Sequence, residues 1–185
     1  PSEIRTIGLE WDSFAAVTFG YTLHTPELHR ISSNYYQFVY SILDQARARG
    51  IKRPGLVLNT YYNSRIAYLW EAGYHVYGRR MFMDGLCPPL FFDDVSLQRE
   101  DFARWMDQHR PDLIISHPDH GVPGLLEGLG MNVPSDCGVA LLGNNDQGVS
   151  CINRIDPYLG EVAVNKLVGM IHQFNAGLHL IRYLN

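Results

Sequence analysis

The chain has 185 residues and a formal net charge of −4, with 46% hydrophobic and 18% charged positions. This is the composition of a soluble globular protein that can bury a substantial core in one or two lobes. There is no apolar run near the roughly 18 to 20 residues of a membrane span, and no signal peptide at the N-terminus, so a cytoplasmic location is expected. Clustered cations supply most of the affinity for a phosphate backbone, and this chain has no Lys/Arg block, so the segment is not expected to bind DNA itself.

Short apolar or β-branched runs alternate with amphipathic stretches along the chain. This alternation predicts stacked βαβ units around a parallel sheet, which is the α/β fold class. The predicted elements of the first half are a strand over 14–19, a helix over 34–49 closed by Gly50, a buried strand over 55–59 and a helix over 64–72. Those of the second half are a strand over 89–92, a helix from an N-cap at Ser96 to about 109, a strand over 112–116, a helix over 123–129 ended by Gly130, a strand over 137–142, a helix over 157–176 and a last strand over 178–184.

Polar and aromatic residues follow three of the predicted strands, at the positions where ligands bind in open α/β sheets. Aromatic rings cover the C–H faces of a sugar, while amides, carboxylates and guanidinium groups pair with its hydroxyls. The pattern favours a site for a sugar or another polyhydroxyl ligand, but polar residues also gather in loops that bind nothing. The residues concerned are Tyr61, Tyr62, Asn63 and Arg65 after the strand over 55–59, His117, Asp119 and His120 after that over 112–116, and Asn144, Asn145 and Asp146 after that over 137–142.

Two of the candidate site residues have a second interpretation. Trp70 is either a stacking platform for a sugar or a core residue, since aromatic residues at helical spacing are more often core. Arg65 either lines the ligand cleft, as its position after a strand favours, or pairs with a surface carboxylate, which would contribute little stability.

The segment HPDH at 117–120 also allows a metal or acid–base interpretation, because imidazole and carboxylate at close spacing suit zinc or proton transfer. A catalytic zinc needs a third protein ligand, and the sequence has no HExxH or comparable spacing. The three cysteines form no CxxC pair, which argues against a zinc ribbon or a disulfide framework. No G-x-S-x-G elbow, G-x-G-x-x-G turn or P-loop is present. We therefore expect neither an enzyme nor a bound metal or cofactor.

Three longer segments carry more specific information. Residues 131–146 (MNVPSDCGVALLGNND) resemble the VP-D-(I/V)-(S/G)-V-x-G-(F/Y)-D-(D/N) strand-and-loop signature of the LacI/GalR family of transcriptional regulators. Residues 155–163 (IDPYLGEVA) are similar to that family's I-x-Q-P-x-x-x-(I/L)-G-x-x-A stretch, and residues 29–34 with 46–56 resemble its V-x-x-D…L…G-(H/Y)-(R/K)-(R/K)-I-(A/G) segment. The resemblance covers nearly the whole chain, and the order and spacing of the three matches make it specific.

The resemblance implies a two-lobed, periplasmic-binding-protein-like type I fold with a parallel sheet and an incomplete N-terminal lobe. On this template, residues 1–52 and 158–185 are part of the N-terminal lobe and residues 53–157 form the C-terminal lobe. The family's helix-turn-helix headpiece, hinge helix and first strands have no counterpart here, so a fragment is expected. The resemblance also implies an effector bound between the lobes, a homodimer, and DNA contact only through a headpiece absent from this chain.

Roles for individual residues also follow from the resemblance. Arg65 is similar to the cleft arginine after the first strand of the C-terminal lobe. Asn145 stands where the family usually has a ligand-contacting Asp, and Asp146 is either its substitute or a solvated turn residue. Asp119 resembles the acidic residue of the family's N-D loop, with Pro118 where Asn is common. The predicted effector site consists of Tyr62, Arg65, Trp70, His117, Asp119, Asn145 and Asp146.

The predicted function is therefore the sensing of a small-molecule effector, with a sugar favoured, on behalf of a DNA-binding transcriptional regulator. The alternative is a solute-binding protein of a sugar transporter, which shares the fold. An upstream helix-turn-helix would indicate the regulator, and an upstream secretory signal would indicate the transport protein.

Overall fold

The computed structural model describes residues 9–93, 97–143, 150–151 and 156–175. The chain divides into two compact units, here called the small unit (residues 1–33 and 155–185) and the sheet unit (residues 34–154). The helix that begins near residue 34 belongs to the sheet unit because it packs its apolar side into that unit's core. The lobe boundaries at 52 and 157 stay predictions.

The elements alternate between strands and helices, as predicted. In chain order they are β1 Val17–Phe19, β2 His29–Ile31, α1 Tyr35–Ala48, β3 Pro54–Asn59, α2 Thr60–Arg65, α3 Leu69–Phe82, β4 Leu90–Phe92, α4 Arg99–His109, β5 Leu113–Ser116, α5 Val122–Gly128, β6 Gly138–Leu141, β7 Ser150–Cys151 and α6 Asp156–Asn175. The strand pairs of the described residues are parallel, which confirms the predicted α/β fold with a parallel sheet. None of the described helices is long and apolar enough to cross a membrane.

Most predicted elements are present with ends shifted by a few residues. The start of α1 is as expected, because Asn34 caps it: its Oδ1 accepts a hydrogen bond of 3.0 Å from the backbone N–H of Gln37. The short strands β2 and β7 were not predicted. The proposed N-cap Ser96 and the proposed last strand over 178–184 lie outside the described residues.

The prediction of one helix over 64–72 is wrong. Two helices, α2 and α3, occupy this part of the chain, and residues 66–68 separate them. The break has a backbone cause, since Ala67 and Tyr68 have φ angles of 55° and 60°, in the left-handed region that cannot continue a helix. Helix α2 also begins earlier than expected, because Asn59 Oδ1 accepts hydrogen bonds from Tyr61 N at 2.9 Å and Tyr62 N at 3.3 Å.

The sheet of the sheet unit has the strand order β4-β3-β5-β6-β7. Every residue of β3 is buried, as a strand covered on both faces requires. Alternate residues of β3 serve two cores: Leu56 and Leu58 pack with α1 and α3, while Val57 packs with α4 and α5. Two apolar layers therefore cover the two faces of the sheet.

A carboxylate ties the amino ends of the two central strands together. Asp112, just before β5, accepts hydrogen bonds from the backbone N–H groups of Lys52 at 2.7 Å and Arg53 at 2.8 Å, just before β3. Arg53 in turn donates to His109 O at the end of α4. These bonds join the amino ends of β3 and β5 to each other and to the end of α4.

The small unit contains the parallel pair β1 and β2, and α6 packs against both strands. The loop between the strands is held by Arg30, whose guanidinium donates to Gly20 O and, at 2.8 Å, to Leu23 O. On α6, Ala163 is buried. Burial lowers the pKa of His29 on β2, and the nearby cation of Lys166 on α6 lowers it further.

Candidate functional site

The carboxyl ends of three adjacent strands meet on one edge of the sheet. Because β3 lies between β4 and β5, the segments that follow these strands are neighbours. Tyr62 comes from α2 after β3, and Phe92 is the last residue of β4. After β5, residues 118–120 form a short 3-10 turn, which His117 caps by accepting a 3.3 Å hydrogen bond from Asp119 N at its Nδ1. This arrangement brings residues that are distant in sequence to one place.

Five aromatic and imidazole rings pack together at this edge, and they are here called the ring cluster: Tyr62, Trp70, Phe92, His117 and His120. The ring of His117 lies 4.9 Å from that of Tyr62, 5.8 Å from that of Trp70 and 5.5 Å from that of His120, between centroids. His120 also lies 5.5 Å from Tyr62 and 5.0 Å from Phe92. Trp70 and His120 are buried, whereas Tyr62, Phe92 and His117 are partly exposed. The latter three are therefore the rings accessible to the C–H face of a sugar.

One carboxylate lies beside the ring cluster. The Tyr62 hydroxyl donates a 3.0 Å hydrogen bond to Asp119 Oδ2, and this bond, with burial and the carboxylate charge, raises the pKa of Tyr62. His117 Nδ1 lies 3.5 Å from the same oxygen. The Asp119 side chain is 61% exposed, so the carboxylate can still accept hydrogen bonds from a ligand.

Trp70 has a structural role as well as a place in the ring cluster. It is 4% exposed, belongs to the core formed by α1, α3 and the sheet, and contacts the ring of Tyr35 edge-on at a centroid distance of 5.6 Å. Its Nε1–H is buried without a hydrogen-bond partner among the described residues. The burial of Trp70 agrees with its interpretation as a core residue, and its ring supports that of His117 from the core side.

Arg65 lies apart from the ring cluster, at the end of α2. Its guanidinium is exposed and stacks over the ring of Tyr61 at 5.5 Å, with a 3.4 Å hydrogen bond to the Tyr61 hydroxyl. Among the described residues it forms no ion pair with a carboxylate. The structure thus brings together Tyr62, Trp70, His117 and Asp119, whereas Arg65 lies on the same short helix as Tyr62 and contacts Tyr61.

Asn145 and Asp146 lie outside the described residues, so their places in the site stay predictions. Two members of the ring cluster were missing from the predicted site. His120 follows the predicted strand over 112–116 but is not in the predicted set, although the three-residue spacing from His117 allows both rings to meet across one turn. Phe92 ends a predicted strand, and the same strand-end rule that selected Tyr62 would have found it.

The protonation state of His120 determines which hydrogen bonds it can make at this site. Burial and the neighbouring His117 lower the pKa of His120 to about 4, so its imidazole is neutral at neutral pH. Within the described residues, no three His, Cys, Asp or Glu side chains are placed to hold a metal ion. The neutral His120 imidazole and the Asp119 carboxylate are groups that bind a polar ligand by hydrogen bonds.

A concave region lies away from the ring cluster, towards the amino ends of β5 and β6. It is an open groove of about 530 Å³ between α1 and the strands β6 and β7, and its polar side chains include Gln45, Arg49 and Asp112. The Asp112 carboxylate is already engaged by two backbone N–H groups. Since ligands of parallel sheets bind at the carboxyl ends of the strands, the ring cluster is the better candidate.

The fold is the periplasmic-binding-protein-like fold seen in solved structures of LacI-type transcriptional regulators, to which this chain is similar over most of its length. A LacI transcriptional regulator from a Rhodococcus species superposes with a TM-score of 0.67 at 15% identity, over 87% of this chain and 63% of that chain. The transcription regulator CcpA of Lactococcus lactis superposes with a TM-score of 0.62 at 13% identity, over 90% of this chain and 63% of that chain. The Lac repressor bound to ONPG in the repressed state superposes with a TM-score of 0.65 at 16% identity, over 87% of this chain and 50% of that chain.

The chain spans only about half to two thirds of the length of these solved structures. At 13–16% identity the likeness concerns the fold. No protein-family model matches the sequence. No curated protein matches it either.

Proposed function

We propose that this chain is the effector-sensing part of a LacI-type transcriptional regulator, and that it binds a small polyhydroxyl molecule at the ring cluster. The observation that carries the proposal is the convergence of five rings and the Asp119 carboxylate at the ends of adjacent parallel strands in this fold. One of the structural neighbours, the Lac repressor, was solved with ONPG bound. The proposed role needs no bond-making, since an effector that prefers one arrangement of a regulator shifts its population by differential affinity.

DNA binding would belong to a headpiece outside this sequence, and a homodimer in the cytoplasm would pass the effector's influence to it. A solute-binding protein of a sugar transporter would share the fold and the site. We favour the regulator because the neighbours named above are transcription regulators.

The test is a calorimetric titration of the 185-residue chain with D-glucose, D-galactose, D-ribose and D-glucose 6-phosphate. We expect at least one neutral sugar to bind, and Asp119→Asn to weaken that binding about tenfold to hundredfold, as for loss of a hydrogen bond to a charged group. Asp107→Asn is the control, since Asp107 is an exposed carboxylate on α4. Binding that Asp119→Asn leaves unchanged would place the ligand elsewhere, and failure of all four probes to bind would refute sugar sensing.

Arg65 stays a predicted contact of the effector. Its guanidinium lies at the exposed end of α2, so an extended ligand on the ring cluster could reach it. In the same titration, we expect Arg65→Ala to weaken the binding of the sugar less than Asp119→Asn does, because the Arg65 guanidinium is exposed and stacks on Tyr61, outside the ring cluster.

A further inference from the structure

We infer that His120 binds the effector through its Nε2 atom, which accepts a hydrogen bond from a hydroxyl or amine N–H group of the ligand. This inference rests on the proposed function and extends it, because it assigns a ligand-binding atom and the chemistry of the group that meets it. The argument uses the hydrogen bonds of Ser116, the burial of His120 and the rings around it.

The hydrogen bonds of Ser116 determine which nitrogen of His120 carries the proton. Ser116 Oγ donates to Val57 O at 2.9 Å, and a hydroxyl has only one proton to give. His120 Nδ1 lies 3.1 Å from the same Oγ, so Nδ1 must be the protonated nitrogen and must donate to it. A neutral imidazole with its proton on Nδ1 has a bare lone pair on Nε2, and Nε2 is therefore an acceptor.

The acceptor has no donor within the described part of the chain. His120 is 8% exposed, and Nε2 is buried without a hydrogen-bond partner. The Tyr62 hydroxyl, on the neighbouring ring, already donates to Asp119. Burial and His117 lower the pKa of His120 to about 4, so Nε2 carries no proton at neutral pH and stays an acceptor. A buried acceptor without a partner costs free energy, so a hydrogen bond donated by a ligand contributes more binding free energy here than at the surface.

The rings around His120 indicate how a ligand reaches Nε2. Tyr62, Phe92 and His117 cover His120, and all three are themselves only partly buried. A sugar that packs its C–H face on these rings displaces one of them and brings a hydroxyl to Nε2. A phosphate dianion or a carboxylate offers only acceptors at this point, so Nε2 selects a ligand group that donates a hydrogen bond.

The experiment compares the wild-type chain, His120→Phe and the control His172→Phe, whose histidine is exposed on α6. The probe is whichever of D-glucose, D-galactose or D-ribose binds the wild-type chain, together with its series of monodeoxy analogues. We expect His120→Phe to bind the sugar about tenfold to hundredfold more weakly, with no change in the control. One deoxy analogue should bind the wild-type chain as weakly as the complete sugar binds His120→Phe. His120→Phe should bind this analogue and the complete sugar with equal affinity.

The outcomes separate the inference from the proposed function. Equal affinity of His120→Phe and wild type, or the lack of any deoxy position coupled to His120, overturns the inference and leaves the proposed function intact. If no sugar binds the wild-type chain, the proposed function fails and the inference fails with it. If His120→Phe does not fold, nitrogen-15 NMR of the wild-type imidazole decides: a proton on Nδ1 and a shift of Nε2 on adding the sugar support the inference, and a proton on Nε2 overturns it.

Discussion

His120 is buried, its tautomer is fixed, and it has two titratable neighbours, so its protonation also bears on the stability of the folded protein. Its Nδ1 is committed to Ser116, and its ring faces His117 at 5.5 Å and Tyr62 at 5.5 Å between centroids. Desolvation disfavours the charged imidazole, and a second imidazole nearby disfavours it further, while the Asp119 carboxylate opposes both to a smaller extent. The folded protein therefore holds this histidine neutral at a pH where the unfolded chain would protonate it.

This difference predicts that the protein becomes less stable as the pH falls from about 6.5 towards 4. The pKa of His120 is about 4 in the folded protein and 6.5 as the reference for the unfolded chain. Between these values the unfolded state takes up a proton that the folded state does not, so the free energy of unfolding should fall by about 2 kcal/mol between pH 7 and pH 5 on account of His120. Above pH 7 both states are neutral here and this contribution is constant.

Urea unfolding at pH 7 and pH 5 measures the effect. His120→Phe should lose less stability between the two pH values than wild type, because it lacks the titrating group, whereas His172→Phe should behave as wild type. Other groups, such as His29 with its lowered pKa, titrate in all three proteins and cancel in the comparison. Identical losses in wild type and His120→Phe would show that His120 is not held neutral by the fold.

At the scale of single elements, the segment between α2 and α3 shows where sequence patterns stop being sufficient. The apolar spacing of residues 64–72 fits one helix, but Ala67 and Tyr68 adopt left-handed φ angles that end α2 and redirect the chain. Neither residue type signals such a conformation, since glycine and asparagine are the usual ones. Elements determined by local interactions could be predicted from the sequence: α1 begins at the Asn34 cap, and β3 is a continuous apolar run.

The same contrast holds for the site. Residues directly after a strand, such as Tyr62, His117 and Asp119, could be selected from the sequence because strand ends converge in a parallel sheet. The contacts among them depend on the strand order β4-β3-β5, which no local pattern encodes, and so Phe92 was overlooked. The acceptor state of His120 depends on a hydrogen bond from Ser116 to Val57 on the adjacent strand, which only the structure reveals.

The left-handed segment predicts an unusual effect of a glycine substitution. Ala67 has a φ of 55° and is exposed, so Ala67→Gly removes the clash of Cβ with the backbone without loss of a buried contact. We expect Ala67→Gly to raise the free energy of unfolding by up to about 1 kcal/mol, because relief of left-handed strain outweighs the greater entropy of glycine in the unfolded chain.

Ala72→Gly is the matched control, because Ala72 lies within α3 with no positive φ angle. It should lower the stability by about 1 kcal/mol, the usual difference between alanine and glycine inside a helix. Chemical denaturation of both variants measures the two effects. Destabilisation of similar size in both would mean that residue 67 is not strained in the native protein.

At the scale of the whole molecule, the two apolar cores lie entirely within the sheet unit. The core on one face of the sheet runs from Val39 on α1 to Leu142, and the core on the other face runs from Val57 to Val139 and Leu141. Both faces of the sheet are thus covered by helices α1, α3, α4 and α5 of the same unit, and the size of this unit is ordinary for a domain. The small unit has its own parallel strand pair and the helix α6 packed against it.

This division predicts that a fragment of residues 34–154 folds on its own, whereas a fragment of residues 53–157 does not. The shorter start removes α1 and with it Val39, Ile42, Leu43 and Ala46, which are buried against α3 and the sheet. Burial of a Val, Leu or Ile side chain contributes roughly 1.5–3 kcal/mol, so the loss of these contacts is comparable to the whole stability of a domain. Circular dichroism and urea unfolding should show a cooperative transition for residues 34–154 and little or none for residues 53–157. If the two fragments unfold alike, α1 is not part of the sheet unit's core, and the lobe boundary belongs near residue 52, where the sequence alone placed it.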